Sequence, residues 1–321
     1  FPMELDPRTC YQALRTRDPR FDGRFFTGVA STGVYCRPVC PARTPKPGNC
    51  RFFRCAAAAQ EAGFRPCLRC RPEAAPGSPP WLGTSTTVAR ALRLIAAGTA
   101  PGGGVPELAD RLGVGERHLR RLFEQHVGVS PLAVVQTQRI LFAKQLLDET
   151  SLPMREVARA AGFASVRRFN DALLGTYGRP PRALRRERNA SDARPPGLTL
   201  GLAYRPPYDW DALLAFLAAR ALPGVEAVQD GTYRRTVRLA AGGGVLVVQR
   251  APRAHALQVT LYGSTSAAEL LPFVSRLRNL FDLAADPLPI ATHFAAEPLL
   301  RRLAHARPGL RVPGAWDGFE L

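Results

Sequence analysis

The seven cysteines of this 321-residue chain lie at positions 10, 36, 40, 50, 55, 67 and 70, all within its first quarter. Cys36-x-x-x-Cys40 and Cys67-x-x-Cys70 form two close pairs separated by 26 residues, with turn formers beside them: Pro38 and Pro41 in the first, Pro66 in the second. Two such pairs can converge as four thiolates on one tetrahedral Zn²⁺, with bonds of about 2.3 Å. In so small a segment the metal would also supply much of the folding free energy. An odd cysteine count in a chain expected to be cytoplasmic argues against a disulfide framework. Cys50 and Cys55 are the rival ligands, although Cys55 opens an Ala-rich helical stretch (CAAAAQEAGF) that better suits a small buried thiol. A closed four-thiolate site is structural on general grounds, because no position stays open for substrate. The alternative is that one ligand is itself the nucleophile. Zinc keeps a thiol ionised at neutral pH, and the thiolate is the reactive form. Four thiolates outweigh Zn²⁺ by two negative charges, which favours attack by an anionic sulfur on an electrophilic carbon.

Charge and composition delimit the elements that must position these thiols. Lys and Arg total 44 against 26 Asp and Glu, a net charge of +18, and Lys46 and Lys144 are the only lysines. Residues 34–72 hold eight basic residues and one acid, Glu61; residues 111–190 hold fifteen against seven, and 198–321 hold thirteen against ten. The expected partner of the first two thirds is therefore a polyanion, nucleic acid above all. AAPGSPP (74–80) and NASDARPPG (189–197) read as linkers, which divides the chain into about 1–74, 82–188 and 198–321. With 46% hydrophobic residues each part has matter for a core. No apolar run approaches the roughly 18–20 residues that span a bilayer, so a cytoplasmic protein without a membrane partner is expected.

Two segments of the middle part align with each other. Glu107–Gly113 (ELADRLG) matches Glu156–Gly162 (EVARAAG), and Leu119–Pro131 matches Phe169–Pro181, each ending in Gly-x-x-Pro. Each copy reads as a helix, a Gly-containing turn and a second helix, the logic of a helix-turn-helix. Val134–Asp148 supplies an amphipathic helical connector between them. The second helices expose Glu116, Arg117, His118, Arg120 and Arg121 in the first copy, and Arg167, Arg168 and Asn170 in the second. Arg and Asn can reach base edges, while basic side chains at the rim meet phosphates. The plainer alternative is two helical hairpins with solvated basic faces.

In the last part, 232–239, 245–250 and 256–261 alternate or run apolar like strands, with turns at Gly242–Gly244 and at Pro252–Ala254. Helices are expected at about 209–221, 267–281 and 293–305. Neither glycine triplet (102–104, 242–244) is followed by Gly-Lys-Ser/Thr, and no Gly-x-Ser-x-Gly element or His pair at metal spacing occurs. The expected class is thus a multidomain α+β chain: a small zinc-bound α/β module, an all-α double helix-turn-helix, then an α+β domain with a small antiparallel sheet.

Three family resemblances sharpen these expectations. FFTGVASTGVYCRPVCPARTPKPGNCRFF with EAGFRPCLRCRP resembles the N-terminal domain of the bacterial Ada adaptive-response family. The resemblance implies that zinc-bound Cys36 irreversibly takes a methyl group from DNA methylphosphotriesters, with Cys40, Cys67 and Cys70 as co-ligands. It also puts Thr32, Arg43 and Arg65 at positions used around the DNA backbone, and leaves Cys50 and Cys55 outside the pattern. Loss of one negative charge on methylation would lessen repulsion from phosphate and tighten DNA binding. GVGERHLRRLF and REVARAAGFASVRRF resemble the AraC-type double helix-turn-helix domain over about 90–187. That implies sequence-selective binding of promoter duplexes and RNA polymerase as a partner, in the bacterial cytoplasm at the nucleoid.

YRPPYDWDALLAFLAARALPGVEAV and the strands after it are similar to the N-terminal accessory domain of AlkA-type 3-methyladenine DNA glycosylases. Residues 198–312 would form that domain, and 313–321, with VPGAWDGFEL, resemble the approach to the helix-hairpin-helix domain carrying the catalytic Asp. The chain opens at Phe1, with Met3 the nearest candidate start, so a fragment is expected at one or both ends, with glycosylase activity only in a longer parent. No Pro-Cys-His-Arg motif occurs, so an O6-methylguanine acceptor domain is not expected. The main rival is an AraC-type transcription factor with a purely structural zinc site. A third reading makes the parent chiefly a glycosylase with DNA tethers in front.

Overall fold

A computed structural model describes residues 5–76, 86–98, 104–185, 197–240, 242–252, 254–318 and 320. It divides into two compact units, Phe1–Arg186 and Glu187–Leu321. Most of the two expected linkers (77–80 and 189–196) lies outside the described residues.

The first unit opens with α1 (Pro7–Thr16), started by Asp6, whose carboxylate accepts the Arg8 and Thr9 amides, and stopped at Arg17 in the left-handed region. A sheet follows from β1 (Phe26–Val29), β2 (Val34–Cys36) and β3 (Cys50–Phe53). α2 (Ala56–Glu61) then leads to the two-residue β4 (Arg65–Pro66). The spatial order is β3-β1-β2-β4, antiparallel except for the parallel pair β2–β4. One face packs Phe26, Tyr35 and Phe64 against Ala56 and Ala59 of α2. Gly28 permits this: a Cβ there would sit 2.8 Å from the rings of Phe53 and Phe64.

The helices of the same unit are α3 (Thr86–Ala96), α4 (Gly104–Leu112), α5 (Glu116–His126) and α6 (Pro131–Glu149), then α7 (Met154–Ala160), α8 (Val166–Tyr177) and α9 (Pro181–Leu184). α4–α5 and α7–α8 are the two helix-turn-helix copies. The turns pass through Gly113 (φ +67°) and Gly162 (φ +77°), conformations that cost a side chain energy and glycine little. Leu108, Leu119, Phe123 and Val135 close the first copy around Val88, Ala91 and Ile95. In the second copy Phe169, Leu173 and Tyr177 are the buried face of α8.

The long connector differs from its expected amphipathic form. α6 is capped by Ser130, whose hydroxyl accepts the Ala133 amide at 3.2 Å, and residues 142–148 are buried on every side, Lys144 and Asp148 included. It is roughly 28 Å long.

The second unit contains β5 (Leu198–Ala203), α10 (Trp210–Ala218), β6 (Glu226–Gln229), β7 (Thr232–Leu239), β8 (Gly242–Arg250) and β9 (Ala256–Tyr262). These are followed by α11 (Leu270–Leu280), α12 (Pro287–Phe294) and α13 (Pro298–Ala306). The strands form one antiparallel sheet, β5-β9-β8-β7-β6. Two expectations are corrected. Gly242–Gly244 are the start of β8 rather than a turn, with Gly244 paired to Val237. A Cβ at Gly244 would lie 2.6 Å from Leu239 Cδ1 and 2.7 Å from the Tyr262 carbonyl, so the glycine serves close packing within the sheet. The helix expected over 293–305 is two helices, because Glu297 caps a fresh start at Pro298 through the Leu299 amide (3.1 Å).

Candidate metal centre and nucleic-acid interface

The parallel pairing of β2 with β4 builds the thiol cluster. It aligns Val34 with Arg65 and Tyr35 with Pro66, so the next residues along the two strands are Cys36 and Cys67. The Cys67 amide donates to the Tyr35 carbonyl at 3.0 Å, locking that register. Tight turns then return the chain: the Cys40 amide donates to the Arg37 carbonyl (3.1 Å) and the Arg71 amide to the Cys67 carbonyl (3.2 Å). Cys36, Cys40, Cys67 and Cys70 end buried, with their sulfurs within 4.8 Å of one another. Four sulfurs at tetrahedral Zn–S distances lie about 3.8 Å apart, so the donor set fits a zinc ion.

Crowding splits the acidities of these thiols. Cys36 is pushed up, first by its hydrogen bonds to Cys40 and Cys67, and Cys70 is pushed up by those to Cys36 and Cys40. Cys40 is lowered to about 7, chiefly by the bond from Cys36, and Cys67 is lowered by Cys36 and then Cys40. Four buried thiols this close cannot all ionise without a cation among them, which Zn²⁺ would supply. Backbone amides reach three of the sulfurs: Ala42 to Cys40, Cys70 to Cys67, and Arg37 to Cys70 at 3.3 Å. The groups that chiefly shape Cys36 are the other three sulfurs and burial.

The remaining cysteines stay out of the cluster. Cys10 lies on the buried face of α1 with Ala13, against Phe25, and burial raises its thiol to about 11. Cys50 begins β3, and Cys55 caps α2 by accepting the Ala58 amide at 3.4 Å. One supporting residue escaped sequence reasoning. Arg37 pairs with buried Asp22 and donates to the Cys70 carbonyl at 3.1 Å, so it braces the second cysteine pair from the first. Its place between Cys36 and Cys40 was the available signal.

Thr32 is exposed in the β1–β2 turn, its amide bonded to the Val29 carbonyl at 3.1 Å, and Arg65 is exposed on β4. Arg43 is exposed on the loop after Cys40. That loop is tied to α1 by Tyr11, which donates to the Pro45 carbonyl at 3.1 Å, and by Arg17, which reaches the Pro41 carbonyl at 3.3 Å. On α5, Arg117, Arg120 and Arg121 are exposed opposite buried Leu119 and Phe123, and Arg121 lies 3.2 Å from His118 Nδ1. On α8, Arg167, Arg168 and Asn170 are exposed, with Arg167 4.0 Å from Asp171. Among the described residues no helix is long and apolar enough to cross a membrane.

Residues 9–73 match the family described as the metal binding domain of Ada, 108–187 a helix-turn-helix domain, and 199–317 the AlkA N-terminal domain. The chain carries these three domains in that order. A Mycobacterium tuberculosis protein named as a bifunctional transcriptional activator/DNA repair enzyme AlkA is 44% identical over 99% of this chain, which spans 64% of that protein's length. The Escherichia coli bifunctional transcriptional activator/DNA repair enzyme Ada is 38% identical over 40% of this chain and 35% of its own. The E. coli DNA-3-methyladenine glycosylase 2 is 40% identical over 37% of this chain and 40% of its own. The residues that match the metal binding domain of Ada include all four clustered cysteines, a donor set that fits Zn²⁺.

Proposed function

We propose that this chain is the regulatory and damage-sensing part of a DNA alkylation-repair protein, acting on duplex DNA in the cytoplasm. The observation that carries the reading is the buried four-cysteine cluster inside the Ada-type domain, followed directly by paired helix-turn-helix units. In this reading the domains span about 1–74, 82–188 and 198–312, with 313–321 beginning a further one.

Cys36 is the methyl acceptor. Zinc, when bound, keeps the thiols ionised at neutral pH. The Cys36 sulfur attacks the methyl carbon of a backbone phosphotriester in line; the S–C bond forms as the C–O bond breaks, and the electron pair leaves on the phosphodiester oxygen. Cys36 suits the role as the thiol that opens the first pair beside its neighbouring sulfurs, while the Cys70 sulfur accepts the Arg37 amide at 3.3 Å, which stabilises charge on it and lowers its nucleophilicity. Thr32, Arg43 and Arg65 grip the backbone around the lesion. The thioether has no negative charge, so the module repels phosphate less and binding tightens. Arg117, Arg120, Arg121, Arg167, Arg168 and Asn170 read or flank the promoter, where the bound protein recruits RNA polymerase. The α+β unit is accessory to excision of alkylated bases.

A second reading is favoured by burial: Cys36 is only 6% exposed, as suits a purely structural zinc site in a transcription factor. Single-turnover incubation with DNA carrying labelled methylphosphotriesters separates the two. Label should move to the peptide holding Cys36, seen by mass spectrometry as one methyl increment, and vanish in Cys36→Ala. Transfer that persists in this variant overturns the assignment, and no transfer to wild-type protein favours the structural site.

A further inference from the structure

A second cluster of buried polar groups lies within Phe1–Arg186, where the cysteine module meets the helices. Arg71, next after ligand Cys70, adopts φ +54°, and its guanidinium pairs with Glu73 (3.2 Å), Asp148 (2.9 Å) and Glu149 (3.1 Å). Lys144 Nζ lies 2.6 Å from Asp148 and 3.6 Å from Glu73. The side chains of Asp148, Glu73 and Lys144 are 0, 1 and 4% exposed. A second chain starts beside the other cysteine pair. The Tyr35 hydroxyl, one residue before Cys36, accepts from the Gln60 side-chain amide at 3.0 Å, and the Gln60 Oε1 accepts from the Thr137 hydroxyl at 3.2 Å.

Both chains end on α6, the helix that joins the two helix-turn-helix copies. The copies themselves touch the module as well. Ala57 of α2 shares a core with Leu119 and Phe123 of α5. At the end of α8, an added Cβ on Gly178 would meet Arg65 Nη1 at 3.3 Å. Buried ion clusters are poor sources of stability, since apolar replacements often do as well, but they can hold parts in one arrangement. Asp148 Oδ1 in this cluster and the Tyr177 hydroxyl at the end of α8 are both buried with no hydrogen-bond partner among the described residues.

We propose that this cluster makes the cysteine module and both helix-turn-helix copies one DNA-reading body, in which the state of the thiol centre sets the packing of α6 and the spacing of the two recognition helices. The proposal deepens the reading above and rests on it for the consequence at DNA: methyl acceptance at Cys36 changes promoter affinity through α6, in addition to the direct change in charge.

Two measurements on the full chain test it. In hydrogen exchange, removing zinc with a chelator should loosen the amides of 131–149 at least tenfold in the wild type and much less in Lys144→Met/Asp148→Leu. Equal protection of α6 with and without zinc in the wild type overturns the coupling, whatever Cys36 does. In promoter binding, the gain in affinity after methylation should drop at least fivefold in the double variant while zinc content and transfer rate stay within twofold of wild type. A full gain in that variant overturns the proposal. If the double variant does not fold, Thr137→Val, which removes only the bond to Gln60, should show the same changes at smaller size, and unchanged behaviour there counts against it. A wild type that transfers no methyl fails the function reading alone, since the exchange result stands apart from it.

Discussion

In the cysteine module the strands run two to four residues, whereas in the C-terminal unit they run four to nine. The longer sheet buries a regular apolar face: Tyr233, Val237 and Leu239 of β7 alternate with exposed residues, and Leu246, Val248, Leu257, Val259 and Leu261 complete it. Its one inward charge on β7, Arg235, is held by Glu226 and Glu320 and lies 5.0 Å from the Trp316 ring. The short sheet has a few rings and alanines on one face and the thiol cluster at one end. The contrast teaches how each region meets the cost of ordering its chain. A sheet with enough apolar alternation needs no metal, and a module this small needs a staple.

Breaking the staple should therefore have the largest effect, and one confined to the first unit. Chelation of zinc, or Cys40→Ser, should unfold residues 5–76, a loss of order about 10 kcal/mol, while the C-terminal unit keeps its own melting transition. Differential scanning calorimetry with and without chelator would show this, and a common loss of both transitions would contradict the comparison. The reverse experiment is Leu246→Ala, at a fully buried residue of β8. It should cost the second unit about 2–5 kcal/mol and leave zinc stoichiometry unchanged. Gly244→Ala should cost about 1–3 kcal/mol in the same unit, because its methyl would press on Leu239 and the Tyr262 carbonyl, as urea titration would reveal. The smallest effect belongs to the helices between. Ser165 caps α8 through the Arg168 amide at 3.2 Å, while α5 starts at Gly115 with no side-chain cap. Ser165→Ala should cost about 1 kcal/mol and Gly115→Ser should gain a few tenths, measured by thermal melts.

Much of this architecture was legible along the chain. Cysteine pairs beside prolines pointed to four sulfurs that the structure brings together, while the rival Cys50 and Cys55 lie in a strand and at a helix cap. The repeat of Glu107–Gly113 in Glu156–Gly162 showed two helix-turn-helix copies, since both glycines sit in the turns that demand positive φ. Less legible were the glycine triplet 242–244, whose close approach to Leu239 depends on a neighbouring strand, and the break at Pro298, which needed Glu297 recognised as a cap. Arg37 passed unnoticed because its partner Asp22 is fifteen residues away.

The sequence by itself determined the paired cysteines, the helical repeat and the alternating strands, because each is a local pattern read over a few residues or two close pairs. Only the tertiary structure decided that Cys36 and Cys67 meet across a parallel two-residue pairing. It also decided that Lys144 and Asp148 are buried beside Arg71 rather than solvated. In sequence, a charged residue on a long helix looks the same whether it faces water or an ion partner more than seventy residues away. Only the packing that removes water from it makes the difference.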